Sequence, residues 1–158
     1  MTYLFYIFII ASIVGLDQYS KNVIELVIEE GNNIKIIDNF FYLANVKNYG
    51  AAFSIMQNQR LILVAIPLIV VGVLAYIIIK NRKIHKLAIV SYLFIIGGAI
   101  GNLIDRAFIG YVRDFLDFYI FGYNYPTFNI ADSFVCIGVF LLLIYYIFFE
   151  KKQNEKQE

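Results

Sequence analysis

The feature that most constrains this chain is a set of long apolar runs. Leu61–Ile79 contains no charged residue. At a rise of about 1.5 Å per helical residue, it is long enough to cross roughly 30 Å of hydrocarbon. With similar runs elsewhere, 61% of the 158 residues are hydrophobic, more than a soluble domain of this size carries. The sequence therefore predicts an all-α membrane protein that forms one integral membrane domain over residues 1–158.

Four transmembrane helices are predicted, at about residues 2–28, 61–79, 87–104 and 130–149. The first run could instead be a secretory signal peptide. It lacks a basic N-terminal region, however, and the segment from Asp17 to Lys21 does not resemble a small-residue cleavage site. We therefore expect a retained helix that continues past Asp17 and stops near Gly31, a residue type that often ends helices.

Basic residues predict the orientation of these helices. The short loop 80–86 contains four of them and no acid: Lys80, Arg82, Lys83 and Lys86. The polar tail 150–158, which we expect to be disordered, adds further lysines. Because basic residues concentrate in cytoplasmic loops, this loop, the tail and both termini are predicted to face the cytoplasm. The loops at about 31–60 and 105–129 then lie on the outer side, together with most of the acidic residues.

The first outer loop is too long for a simple turn. Its segment 34–56 mixes aromatic and β-branched residues with Asn, Asp and Gly. This composition predicts short strands and turns that form a small β-rich platform on the outer membrane surface.

Composition excludes several classes of function. A single cysteine, Cys136, cannot form an intrachain disulfide, and together with a single histidine it cannot supply the ligands of a structural or catalytic zinc site. We therefore expect no metal and no other cofactor. A net charge of +1 gives no nucleic-acid footprint. Nothing in the sequence requires more than one chain, so we expect a monomer.

Ionisable groups near hydrocarbon are costly unless they are paired or hydrated, so each one calls for an explanation. Asp17 and Lys21 are one helical turn apart, and an ion pair at the helix end explains them simply. The block Asn48–Phe53 combines an amide with small residues, which allow close approach of a ligand, although a tight surface turn explains this block better when it is taken alone.

The end of the third predicted span carries a polar face. Asn102, Asp105 and Arg106 have i, i+3 and i+4 spacing, which places them on one side of a helix. The glycines just before them are typical of close helix packing. Arg106 could simply neutralise Asp105 or Asp17, or the three residues could belong to a functional site.

Two further acids follow in the second outer loop and the fourth span. Asp114 could be an ordinary solvated loop residue, and Asp117 competes with it as a candidate. Asn129 and Asp132 have the spacing of a helix N-cap and its N3 residue, a role that does not preclude catalysis. Since they lie at one membrane face, six residues can line one cavity: Asn102, Asp105, Arg106, Asp114, Asn129 and Asp132.

Two carboxylates held close together in a poorly hydrated site share a proton, because both cannot ionise cheaply. One can then act as a base towards a water molecule while the other donates a hydrogen bond to a peptide carbonyl oxygen. Such chemistry needs no metal, serine or thiol, which suits the residues available.

Five blocks of the chain, in this order, resemble those of the lipoprotein signal peptidase (signal peptidase II) family. They are Asp17-Gln-Tyr-Ser-Lys21, Asn48-Tyr-Gly-Ala-Ala-Phe53, Gly101-Asn-Leu-Ile-Asp-Arg106, Val112-Arg-Asp114-Phe and Phe128-Asn-Ile-Ala-Asp132-Ser. Each block alone is a weak signal, whereas five in sequence between Asp17 and Ser133 are specific.

The resemblance implies that Asp114 and Asp132 are the catalytic dyad of an aspartic endopeptidase, and that Asp105 and Asp117 are not. It also implies five pocket residues that hold the substrate or support the dyad: Asn48, Gly50, Asn102, Arg106 and Asn129. Asp17 and Lys21 correspond to a block that holds the fold, Asp105 is likewise expected to be structural, and Arg113 occupies a variable position.

The implied substrates are prolipoproteins whose cysteine already carries a diacylglyceryl group, cleaved just before that cysteine at the outer face of a bacterial plasma membrane. The partners would be these precursors and the phospholipid bilayer. A small proton-coupled transporter and a non-enzymatic membrane subunit are the rival interpretations. A transporter would place its acid near the bilayer midplane, where the second span has none, and neither rival explains five ordered blocks.

Overall fold

The computed structural model of this chain describes residues 2–51, 55–81 and 83–150. In this part of the chain the elements follow the order α1 (Thr2–Val27), β1 (Asn33–Ile37), β2 (Phe41–Asn48), α2 (Arg60–Lys80), α3 (Lys86–Phe108), β3 (Val112–Ile120), β4 (Tyr123–Asn124) and α4 (Ile130–Phe148). All four helices are long and apolar enough to cross a membrane. The predicted architecture, four spanning helices with a small β platform, is confirmed. Residues 151–158 of the tail, Arg82 of the basic loop, and Ala52 and Phe53 lie outside the described residues.

Helix α3 is the central helix, because it packs against α1, α2 and α4. The other three helices expose many large apolar side chains, as expected of surfaces that face lipid. Small residues let α3 and α4 approach closely: a Cβ added at Gly98 would lie only 2.3 Å from the backbone oxygen of Ala131. The predicted packing role of these glycines is therefore correct, and it brings Asn102 of α3 beside the start of α4.

The third span is longer than the sequence predicted. Helix α3 continues to Phe108, so Asp105 and Arg106 belong to the helix and not to the following loop. The prediction ended the span before its first charged residue. Asp105 is tolerated in the helix because its carboxylate is paired with two cations, Lys21 and Arg113.

The sheet combines strands from both outer loops. It is antiparallel with the order β1-β2-β3-β4, and a bulge in β2 between Leu43 and Val46 shifts its register against β3. The sequence predicted strands only in the first loop, whereas β3 and β4 arise from the second. The backbone of Phe128 pairs with Leu116 of β3 just before α4 begins. Strand β3 is thereby held between the end of α3 and the start of α4.

Candidate active site

The first turn of α4 fixes Asp132. The side-chain oxygen of Asn129 accepts a hydrogen bond from the backbone N–H of Asp132 at 2.9 Å, and the Asp132 carboxylate accepts one from the Asn129 N–H at 3.2 Å. This reciprocal capping box matches the predicted N-cap and N3 positions. The other carboxylate oxygen accepts a hydrogen bond from Asn102 Nδ2 at 2.7 Å. Both oxygens of Asp132 are thus held in place before any substrate binds.

Asp114 lies on β3 and is only 3% exposed. Its Oδ1 accepts a hydrogen bond from Asn129 Nδ2 at 2.7 Å, and its Oδ2 accepts one from Asn48 Nδ2 at 2.9 Å. Asn48 is itself oriented by the backbone N–H of Gly50, which donates to its side-chain oxygen at 2.9 Å. Asn129 therefore contacts both Asp114 and Asp132, and these two acids face the same small region.

Burial and the neighbouring charge of Asp132 raise the pKa of Asp114 to about 7. The amide donors of Asn48 and Asn129 and the charge of Lys21 oppose this increase without cancelling it. At neutral pH a substantial fraction of Asp114 therefore carries a proton, as expected when two carboxyl groups share a poorly hydrated site.

The two acids open onto one cavity of about 700 Å³, within the usual range for ligand pockets. Its polar lining includes Asn48, Arg106, Asp114 and Asp132, and its apolar lining includes Val46, Val112, Phe128, Val135 and Cys136. Asp117, the competing candidate, is buried on the same strand but is not among the lining residues. The cavity thus combines two carboxyl groups with space for an apolar ligand.

A buried ionic cluster lies behind the two acids. Lys21 is fully buried, and its ammonium contacts Asp17 at 2.8 Å, Asp105 at 3.2 Å and Asn102 at 3.0 Å. Its three donors therefore meet three acceptors. The predicted pair of Asp17 and Lys21 exists, but it is no simple ion pair at a helix end, because it is buried and includes Asp105. Asp17 also accepts a hydrogen bond from the backbone N–H of Ala131 at 2.9 Å, which ties α1 to the first turn of α4.

Arg106 does not have the neutralising role that the sequence left open. Lys21 and Arg113 pair with Asp105, while Arg106 donates to the backbone oxygen of Gly50 at 2.8 Å. Its Nε is buried and has no hydrogen-bond partner among the residues that the structure describes. Arg106 therefore supports the turn that orients Asn48 and places a positive charge on the cavity wall.

Sequence reasoning missed the role of Arg113, which is buried and bonded to α1 and α3. A signal for this contact was available on α1. Gln18, Asn22 and Glu25 follow an i, i+4, i+7 pattern, which places three polar groups on one face of a helix that is otherwise largely apolar. Such a stripe indicates a buried polar partner from another element.

Comparisons with known proteins agree with the overall fold. A family model described as "Signal peptidase (SPase) II" matches residues 9–148. Two solved structures, described as bacterial membrane enzymes determined by the in meso method at 2.3 and 1.9 Å resolution, are each 35% identical in sequence to this chain. The first has a TM-score of 0.84, and the aligned region covers 90% of this chain and 87% of the chain in that structure. The second has a TM-score of 0.82, and the aligned region covers 91% of this chain and 93% of the chain in that structure.

Proposed function

The chain belongs to the signal peptidase (SPase) II family and is a multi-pass membrane peptidase, and we propose that it removes signal peptides from prolipoproteins by aspartic catalysis. The proposed dyad is Asp114 and Asp132. The observation that carries this proposal is their shared support by Asn129 at the wall of one cavity. Asn48, Gly50, Asn102 and Arg106 then orient the dyad or bind the substrate.

In the proposed reaction Asp114 holds the shared proton, in keeping with its pKa of about 7. Asp132 takes a proton from a water molecule as that water attacks the peptide carbonyl carbon, while Asp114 donates its proton to the carbonyl oxygen. As the tetrahedral intermediate collapses, Asp132 passes the proton it took from water to the leaving amine nitrogen. The carbon–nitrogen bond breaks, and one hydroxyl of the intermediate returns a proton to Asp114 as the carboxyl product forms. The proposed reaction requires no metal or other cofactor.

The shape of the cavity supports a lipid-modified precursor as substrate. Val135 and Cys136 line it about one helical turn beyond Asp132, inside a helix long and apolar enough to span the membrane. A diacylglyceryl-modified cysteine is anchored in the outer leaflet, so it can deliver the preceding peptide bond to acids at that depth. We propose that the dyad faces the extracytoplasmic side of a bacterial plasma membrane and that both termini face the cytoplasm. This orientation is supported by Lys80 and Lys86, which lie at the opposite end of α2 and α3 from the dyad.

All residues of the proposed site come from one chain, which supports action as a monomer within the bilayer. The partners we propose are the phospholipid bilayer and the lipid-modified precursors.

The direct test is cleavage of a purified, lipid-modified precursor by Asp114→Asn and Asp132→Asn variants. Each substitution removes an acid or base function, so we expect turnover to fall by about 10²- to 10⁴-fold. Asp117→Asn is the matched control, because Asp117 is a buried acid on the same strand outside the cavity lining. It should keep most of its activity. Near-normal turnover in either dyad variant would refute the aspartic mechanism, and equal cleavage of an unmodified precursor would refute the lipid requirement.

A further inference from the structure

The guanidinium of Arg113 is saturated with acceptors from two helices. Its Nε and Nη2 donate to the two carboxylate oxygens of Asp105 at 3.3 and 2.8 Å. Its remaining donors reach three side chains of α1, namely Gln18 at 2.9 Å, Glu25 at 3.0 Å, and Asn22. All five donors of the planar group are thus used, and such complete satisfaction fixes the side chain in one orientation.

The backbone at this position is fixed as well. The N–H of Arg113 donates to Asp105 at 3.1 Å. Strand β3 is therefore attached to the end of α3 through both the main chain and the side chain of a single residue. Asp114 is the next residue along the strand, and its side chain projects to the other side, towards the cavity.

Apart from their shared contact with Asn129, the two proposed catalytic acids are held by different elements. Asp132 is fixed through α4, by its capping box with Asn129 and by the hydrogen bond from Asn102. Asp114 is fixed through β3. Its hydrogen bonds to Asn48 and Asn129 can form only if β3 is held in the correct position relative to the end of α3 and the start of α4.

We propose that Arg113 is a positioning residue of the proposed dyad, and that its contacts with α1 and α3 set the separation between Asp114 and Asp132. This inference rests on the proposed aspartic mechanism, but it concerns a residue whose side chain does not line the cavity. Arg113 acts through the strand and has no contact with the substrate.

The arrangement requires arginine specifically. A lysine at position 113 would preserve the charge next to Asp105 and Glu25, but its single nitrogen cannot reproduce the bidentate contact with Asp105 and the contacts with α1 together. Arg113→Lys therefore removes the geometric function and retains the electrostatic one. Arg113→Met removes both.

We expect Arg113→Lys to lower kcat by about 10- to 100-fold on the lipid-modified precursor, since a displacement of about 1 Å at a reacting group has effects of this size. KM should change much less, because the cavity lining is intact. The matched control is Lys35→Gln, which removes an exposed ion pair with Asp38 on the same sheet and should leave both parameters unchanged.

The pH profile separates positioning from a loss of folded protein. Asp114 is surrounded by Asp132 on α4, Arg106 on α3 and Lys21 on α1. If Arg113→Lys allows Asp114 to move away from Asp132, the charge of Asp132 raises the pKa of Asp114 less. The alkaline limb of kcat should then move to lower pH. A lower fraction of folded enzyme would reduce the whole profile and leave its limbs in place.

The inference would be overturned if Arg113→Lys kept the wild-type kcat and the wild-type pH dependence. It would also be overturned if kcat fell at every pH while the alkaline limb stayed in place. If neither Arg113 variant folds in detergent, Asn22→Ala supplies the test, because it removes only one acceptor. It should give a smaller shift of the limb in the same direction, and an unshifted limb would again overturn the inference. Failure of the aspartic mechanism is recognised separately, by activity in Asp114→Asn or Asp132→Asn with Arg113 intact.

Discussion

Replacing Asp114 with asparagine should change how the stability of the protein depends on pH. In the folded protein, burial and the charge of Asp132 raise the pKa of Asp114 to about 7, whereas the ordinary value is 3.8. Folding therefore favours the protonated carboxyl. The stabilising contribution of this group is complete below about pH 4 and is lost as the pH rises towards about 7. Asparagine does not titrate, so the variant lacks this loss.

The size of the effect follows from the difference between the two pKa values. About three pKa units at roughly 1.4 kcal/mol each amount to roughly 4 kcal/mol between about pH 4 and pH 8. The asparagine amide also places an N–H group against the donors of Asn48 or Asn129, at a cost of about 1–3 kcal/mol. This second cost does not depend on pH. It lowers the free energy of unfolding of the variant equally at every pH and does not alter how the difference between the two proteins changes with pH.

The measurement is the free energy of unfolding of both proteins in detergent micelles across this range. The difference should shift in favour of Asp114→Asn by up to roughly 4 kcal/mol as the pH rises. In an Asp132→Asn background the shift caused by Asp114→Asn should be smaller, because burial still raises the pKa of Asp114 but the added effect of the Asp132 charge is absent. Stability curves that stay parallel to within about 1 kcal/mol would refute the assignment of a raised pKa to Asp114.

Two other substitutions test the surroundings of the proposed dyad. Lys21→Met should reduce the free energy of unfolding by about 3–5 kcal/mol, because it leaves Asp17 and Asp105 buried without their shared cation; a loss below about 1 kcal/mol would contradict the importance of this cluster. A bulky, membrane-permeant maleimide should inhibit the wild-type protein by attaching to Cys136 in the cavity wall, and the Cys136→Ser variant should be resistant. Equal inhibition of both proteins would exclude Cys136 as the site of this effect.

Features that depend only on residues close together in the sequence could be predicted. The spans follow from hydropathy, since lipid requires apolar side chains over a fixed length. The capping box follows from the spacing of Asn129 and Asp132, because a cap is completed within a single turn. The spacing of Asn102, Asp105 and Arg106 indicated one helical face, but the bounds of the third span stopped short of Asp105. A charge inside a span is tolerated once it is paired, and the partners of Asp105 lie on other elements.

Strand β3 could not be predicted from periodicity. A half-buried strand alternates apolar and polar residues, but the strand Val112–Ile120 carries adjacent polar residues at Arg113 and Asp114. Both are buried, one against α1 and α3 and the other at the cavity. Because both faces of the strand bury polar groups, its sequence lacks the alternation of apolar and polar residues. The sequence of this segment therefore resembles that of a loop. The same feature that hides the strand is the one that brings Asp114 into the site.

The buried charges behind the proposed dyad have a physical reason to be retained. Apolar side chains of similar volume could stabilise the junction of α1, α3 and β3 as well as an ionic cluster does, since desolvation offsets much of the attraction between buried charges. Dispersion contacts have little directional preference, however, whereas the hydrogen bonds of Lys21 and Arg113 hold for a narrow range of angles. These two cations meet at the carboxylate of Asp105, and each leads to one proposed catalytic acid, Lys21 through Asn102 to Asp132 and Arg113 along β3 to Asp114. The position of this one carboxylate on α3 therefore affects the placement of both proposed catalytic acids.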